Sequence, residues 1–287
     1  MKKIYYITAV FATLFLVGCG DGIDLPGVNV ETDLNKIPLP DNNVNLEQVE
    51  LKPSTEPMLH EGLHTEEDFQ RIRDKKAAGE EPWVSAYQLL VESQFSQKTA
   101  DTYPTEWIKR GVSGDENYMN AARGATIVYQ QALRWKIEQD DEYAAKAVEN
   151  LNKWVQTCVG VTGNTNLSLA AGLYGYEFAI AGELLRDYGG WDRADFAAFQ
   201  NWLLKVFYPA NDDFLKRHHD TNALHYWANW CLCNIAAKMA IGIVTDRRDI
   251  YNEGIDHLQT GDTNGRLRRA IYHDYAPDYN FAQWQES

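Results

Sequence analysis

The chain has 287 residues, and its 41 acidic against 27 basic side chains give a formal charge of −14. A field of that sign argues against nucleic acid as a partner and makes any cluster of Arg, Lys or His informative. With 9 Trp, 16 Tyr and only 4 Cys, the composition fits an aromatic-rich globular domain without a disulfide framework.

Residues 1–19 read as a leader. Lys2 and Lys3 precede an apolar run, Ile4 to Val17, that is too short and wrongly flanked for a permanent membrane span. The run ends Leu16-Val17-Gly18-Cys19, which resembles the lipobox of bacterial lipoproteins, where Cys19 becomes the lipidated mature N-terminus. The expectation is a bacterial cell-envelope lipoprotein, in the periplasm or outer membrane, attached to the membrane through lipid on Cys19. An ordinary cleaved signal with a chance cysteine is the competing reading. Residues 20–58 hold no aromatic residue and carry Pro26, Pro38, Pro40, Pro53 and Pro57 among polar groups. Such a segment buries too little surface to offset its ordering entropy, so it reads as a flexible tether. Residues 59–287 form the body.

The body reads as helix after helix. Thr65-Glu66-Glu67-Asp68 is a helix start leading into Phe69 to Lys76. Glu81-Pro82-Trp83 opens a second helix through Tyr87, Leu90 and Val91. Three longer hairpins follow: 117–138 with 141–157, 170–187 with 193–208, and 222–243 with 247–260. Polar turns such as Gln139-Asp140-Asp141 close them. Strand-like alternation is nearly absent until Ala270-Ile271-Tyr272-His273-Asp274-Tyr275. Serial antiparallel pairs predict an all-α fold, either a solenoid or an (α/α) toroid. Aromatics opening the inner helices favour the toroid. Cys231 and Cys233, two apart on one helix, point in different directions and read as buried free thiols.

The densest polar and aromatic stretch runs from Arg217 to Trp230. Read as a helix from Asn222, it places Asn222, His225, Tyr226 and Asn229 on one arc. Leu224, Trp227, Ala228, Cys231 and Ile235 fall on the opposite arc as a buried stripe. The polar arc reads equally as a pocket gripping a polar ring and as a face satisfied by a neighbouring helix. Two basic clusters flank it, Lys216-Arg217-His218-His219 and Arg266-Leu267-Arg268-Arg269. Each alone reads as a solvated loop; together, beside Tyr272 and His273, they read as a site for an anionic substrate. Gly172-Leu173-Tyr174-Gly175-Tyr176-Glu177 reads either as stacking groups opening an inner helix or as small-residue packing. A metal site from His218, His219, Asp220 and His225 lacks any zinc spacing, so no metal and no cofactor is expected.

Three segments carry a family resemblance: Gly172 to Ala179, His225-Tyr226-Trp227-Ala228-Asn229-Trp230-Cys231-Leu232-Cys233-Asn234, and Ala282-Gln283-Trp284-Gln285-Glu286-Ser287. They are similar to segments of the alginate lyase superfamily, nearest to polysaccharide lyase family thirty-eight. The resemblance runs from about His60 to the last residue. It implies an (α/α) toroid and β-elimination of an anionic polysaccharide such as alginate or glucuronan. Elimination requires donors that neutralise the substrate carboxylate, a base for the C5 proton and an acid for O4.

By position the resemblance assigns these tasks to Asn222 and His225, to Arg269 or Arg266, and to Tyr272 as base and acid. Arg217, His218, Tyr174, Tyr176, Tyr226, Asn229, His273, Gln283 and Glu286 are the remaining candidates for substrate contact. Relatives carry an adjacent Asn-Asn-His, whereas here Asn222-Ala223-Leu224-His225 spreads the pair. The family motif continues beyond Ser287 into further helices, so the resemblance also implies a toroid lacking its C-terminal part. Two alternatives share the architecture. One is an inverting glycoside hydrolase using Asp220 with Glu177 or Glu286. The other is a non-catalytic surface lipoprotein that captures glycans by aromatic stacking.

Overall fold

Residue 60 and residues 62–272 are described by a computed structural model. Cys19, His273, Gln283 and Glu286 lie outside the described residues, as does the side chain of Tyr272. All the described residues belong to the unit Leu46–Ser287.

Helix α1 spans Glu66–Ala77, and Thr65 with Asp68 forms the reciprocal cap expected of that start. Helix α2, Trp83–Glu92, follows Pro82. Strand β1, Trp107–Arg110, leads into α3, Tyr118–Glu138, which ends at Gln139 with φ 57°. Asp140 then caps α4, Asp141–Thr157, by accepting from the Glu142 amide at 3.0 Å. Strand β2, Gly160–Gly163, precedes α5, Leu167–Leu185. Asp192 caps α6, Arg193–Val206; after a break at Phe207 comes α7, Tyr208–Arg217. The chain continues as α8, Ala228–Val244, α9, Arg248–Gln259, and α10, Leu267–Tyr272.

The fold is all-α, built of helical hairpins in series. Helices α3, α5 and α8 form an inner row, with α5 packed between the other two. Helices α5 and α8 are buried nearly all round, as inner helices must be, while α4 shows one apolar stripe. A side-chain carbon at Gly172 would meet the Cys233 sulfur at 2.5 Å, so glycine there lets α5 and α8 approach closely. This favours the small-residue packing reading of the Gly172 to Tyr176 stretch. Phe178 centres the core, with its ring 5.4 Å from Trp154, 5.2 Å from Trp202 and 6.1 Å from Phe207. Lys238 is fully buried between α7, α8 and α9, where it pairs with Asp212 at 2.9 Å and Glu253 at 2.7 Å. Cys158, Cys231 and Cys233 are buried free thiols.

Three expectations are corrected. The third hairpin begins at Ala228, not Asn222, and residues 222–227 form a loop. Ala270 to Tyr272 belong to α10 rather than to a strand. The extended pieces lie instead at 107–110 and 160–163, paired in parallel with Trp107 opposite Gly160 and Arg110 opposite Gly163. That ladder fastens the segments leading into α3 and α5 side by side.

Candidate functional site

The β1–β2 ladder places Arg110 at the end of β1, ahead of α3. Its guanidinium lies over the Tyr118 ring at 4.7 Å, and its Nη1 is buried without a hydrogen-bond partner. Tyr174 on α5 is close enough for burial to raise its pKa while the Arg110 charge opposes that shift. Glu177, one turn on, is raised by burial to about 7. Among the described residues the side chains of Tyr118, Tyr174 and Glu177 also make no hydrogen bond. The buried, unsatisfied Arg110 Nη1 marks a place where a ligand can supply the missing partner. Nearby, His64 Nε2 and the Tyr129 hydroxyl lie 2.6 Å apart, and burial lowers the His64 pKa.

The second part of the site is the loop between α7 and α8. His218, His219 and Asp220 have φ of 46°, 53° and 60°, a run of left-handed residues that costs on the order of 1–3 kcal/mol each. Packing holds the turn. His218 sits against Phe214 and, at 3.6 Å, against the Cys231 sulfur, while His219 Nε2 meets the Ser168 hydroxyl of α5 at 3.0 Å. Asn222 accepts from the Leu224 amide at 2.8 Å, a local turn that competes with helix. The buried Asn264 amide donates to the Leu224 and Tyr226 carbonyls, both at 2.9 Å. These carbonyls flank His225, so Asn264 ties the His225 loop to the turn that launches Arg266 and α10.

The two-arc division of the 222–235 stretch does not survive. Trp227 is 52% exposed, whereas Tyr226 is buried, packed against Phe214 at 5.1 Å and Trp230 at 4.7 Å. With only the stretch from Ala228 helical, Asn222, His225 and Asn229 are exposed without sharing a helix face. The basic clusters are largely neutralised. Lys216 pairs with Asp212 at 2.8 Å, Arg217 pairs with Asp213 at 2.6 Å and Asp220 at 3.1 Å, and Arg269 pairs with Asp262 at 2.7 Å. Arg266 donates to the Gln259 carbonyl at 3.0 Å. His218 is only 3% exposed, and burial lowers its pKa to about 4, so it is a neutral packing residue rather than a cationic contact. Tyr174 is buried, and Tyr176 is half-buried, its pKa pushed up to about 12 by burial. Arg110 and Tyr118 were not anticipated. The usable signal was the short alternation Trp107-Ile108-Lys109-Arg110, which leaves Arg110 on the same face as the buried Ile108.

Serial helical hairpins packed around an inner row define the all-α class of fold. The alginate lyase family model matches residues 72–270, and the chain belongs to that family. Membership supplies a polysaccharide lyase function in general terms. No curated protein and no solved structure matches the chain.

Proposed function

We propose that the chain cleaves a uronic-acid polymer, alginate or glucuronan, by β-elimination. The family match over residues 72–270 carries this reading, because it spans both the Asn222–His225 loop and Arg266 to Arg269. Elimination breaks the C5–H and C4–O4 bonds and forms a C4–C5 double bond. The C5 proton is weakly acidic while the neighbouring carboxylate keeps its charge, so the first requirement is hydrogen-bond donors on that carboxylate. Asn222 and His225, exposed on a loop braced by Asn264, supply donors of the right type, with Arg269 as the cation. The family resemblance gives Tyr272 the proton: it takes the proton from C5 as phenolate and returns it to the departing O4 as phenol. No redox or group-transfer partner is needed for this balance.

The layout proposed with this activity is a leader over 1–19, a tether over 20–58 and a lyase domain over 59–287, with lipid on Cys19 holding the domain at the bacterial envelope. Incubation with alginate, polyglucuronate and a neutral glucan tests the function. Ultraviolet absorbance from an unsaturated uronide on either acidic polymer is the expected result. New reducing ends without absorbance would replace the lyase with an inverting hydrolase. Glu177, protonated near neutrality, is the observation that favours that second reading, although its suggested partner Asp220 is held by Arg217. Retention without products would make the chain a glycan binder.

A further inference from the structure

We infer that Arg110, with Tyr118 and Tyr174, forms a carboxylate-binding subsite for a uronate ring, separate from the cations of the 216–219 and 266–269 clusters. The inference rests on the lyase reading and adds Arg110 and Tyr118 to the residues that reading names.

Arg110 has no counter-ion among the described residues, although the chain carries a net charge of −14. The basic residues around the α7–α8 loop are matched to carboxylates, as in the pairs Lys216–Asp212, Arg217–Asp213 and Lys238–Glu253. The Arg110 side chain makes no hydrogen bond or ion pair among the described residues, and its Nη1 is buried. A buried cationic donor left unpaired costs several kilocalories per mole in general, and such groups persist where something binds them. Glu116, six residues on, accepts from the Gly111 amide at 2.6 Å rather than pairing with Arg110.

The surroundings fit a carboxylate on a sugar ring. A guanidinium presents two parallel donors that match the two oxygens of a carboxylate, and stacking on Tyr118 holds its plane. Tyr174 stays a phenol near neutral pH, because burial raises its pKa, and so offers a donor rather than a repelling charge. Arg110 is fixed at its base by the ladder register with Gly163, where a side-chain carbon would collide with the Arg110 carbonyl. A neutral sugar would leave the guanidinium as orphaned as before. The subsite therefore selects acidic over neutral polymers, and it works against a protein field that otherwise repels them.

The test is equilibrium binding of an alginate oligosaccharide and its carboxyl-reduced, neutral counterpart to the full chain and to Arg110→Gln, Arg110→Lys and Tyr118→Phe. The chain should prefer the acidic ligand. Arg110→Gln should weaken that ligand by roughly tenfold to a hundredfold, the usual worth of a charge-assisted pair, and leave the neutral one unchanged. Arg110→Lys should fall between, keeping charge but losing the fork. Removal of an unpaired group should not lower the melting temperature, whereas loss of a purely structural residue would. If Arg110→Gln does not fold, Tyr118→Phe and Arg110→Lys carry the test through the same acidic-to-neutral affinity ratio. An unchanged ratio in variants of a chain that still releases unsaturated uronide would overturn this subsite alone. No preference for the acidic ligand in the unmodified chain, together with no elimination product, would overturn both the subsite and the lyase reading.

Discussion

Glu177 has no hydrogen-bond partner among the described residues, and burial raises its pKa from 4.5 to about 7. His218, buried beside Cys231, moves the other way, from 6.5 to about 4. The two shifts have opposite consequences for stability. Glu177 has a folded value above the unfolded one, so its contribution is complete below about 4.5 and is lost as pH rises through about 7. His218 has a depressed value, so its contribution is present above 6.5 and is lost as pH falls through about 4. Over the shared window they offset each other. Glu177→Gln removes one side: relative to the unmodified chain it should gain stability as pH rises from 5 to 8, by up to about 3 kcal/mol at roughly 1.4 kcal/mol per unit. Denaturant melts at a series of pH values check this, and a pH-independent difference would show that Glu177 is ordinarily solvated. None of this was legible in the sequence. His218 looked cationic because it adjoins Lys216 and Arg217, and only its three-dimensional packing against Phe214 and Cys231 makes it neutral.

At the scale of elements, the helices that could be read were those whose stop and start signals are local. The α3–α4 hairpin follows from its apolar periodicity and from Asp140, which caps the helix it precedes. Residues 222–227 misled because Leu224, Trp227 and Ala228 keep helical spacing while the backbone is captured elsewhere. Asn222 turns it locally, and Asn264, 40 residues away, takes two of its carbonyls. A contact at that separation leaves no periodic trace. The same tie joins the two segments that supply the proposed chemistry. Asn264→Ala strips both bonds and should cost about 1–3 kcal/mol in stability. It should cost more in catalysis, with a fall in kcat of about tenfold to a hundredfold as the His225 loop loses its tie to the segment that precedes Arg266 and Arg269. Equal turnover by a destabilised Asn264→Ala variant would reduce the residue to a packing role. The β1–β2 ladder escaped reading for a related reason. Two four-residue strands pair across the whole α3–α4 hairpin, and neither segment is long enough to declare itself.

For the whole molecule, charge and attachment set the working conditions. A chain of net charge −14 repels a polyanionic substrate at low ionic strength, so its cations must act at short range from fixed positions. The fold class was legible because serial hairpins follow from repeated helix periodicity, and the family match then extends over every helix from within α1 to α10. The anchor belongs to this scale as well. Cys19→Ala should move the protein from the membrane fraction to the soluble fraction or leave it unprocessed, because the polar tether has no affinity for lipid. Unchanged fractionation would remove the lipoprotein reading. The central claim, elimination on a uronate polymer, is tested most directly by following unsaturated uronide from alginate and from polyglucuronate with the unmodified chain and with Tyr272→Phe. The account predicts rising ultraviolet absorbance from the unmodified chain on at least one polymer, abolished in the variant while oligosaccharide binding persists. Absorbance that rises equally in the variant would contradict the role of Tyr272, and reducing ends that accumulate without absorbance would contradict elimination itself.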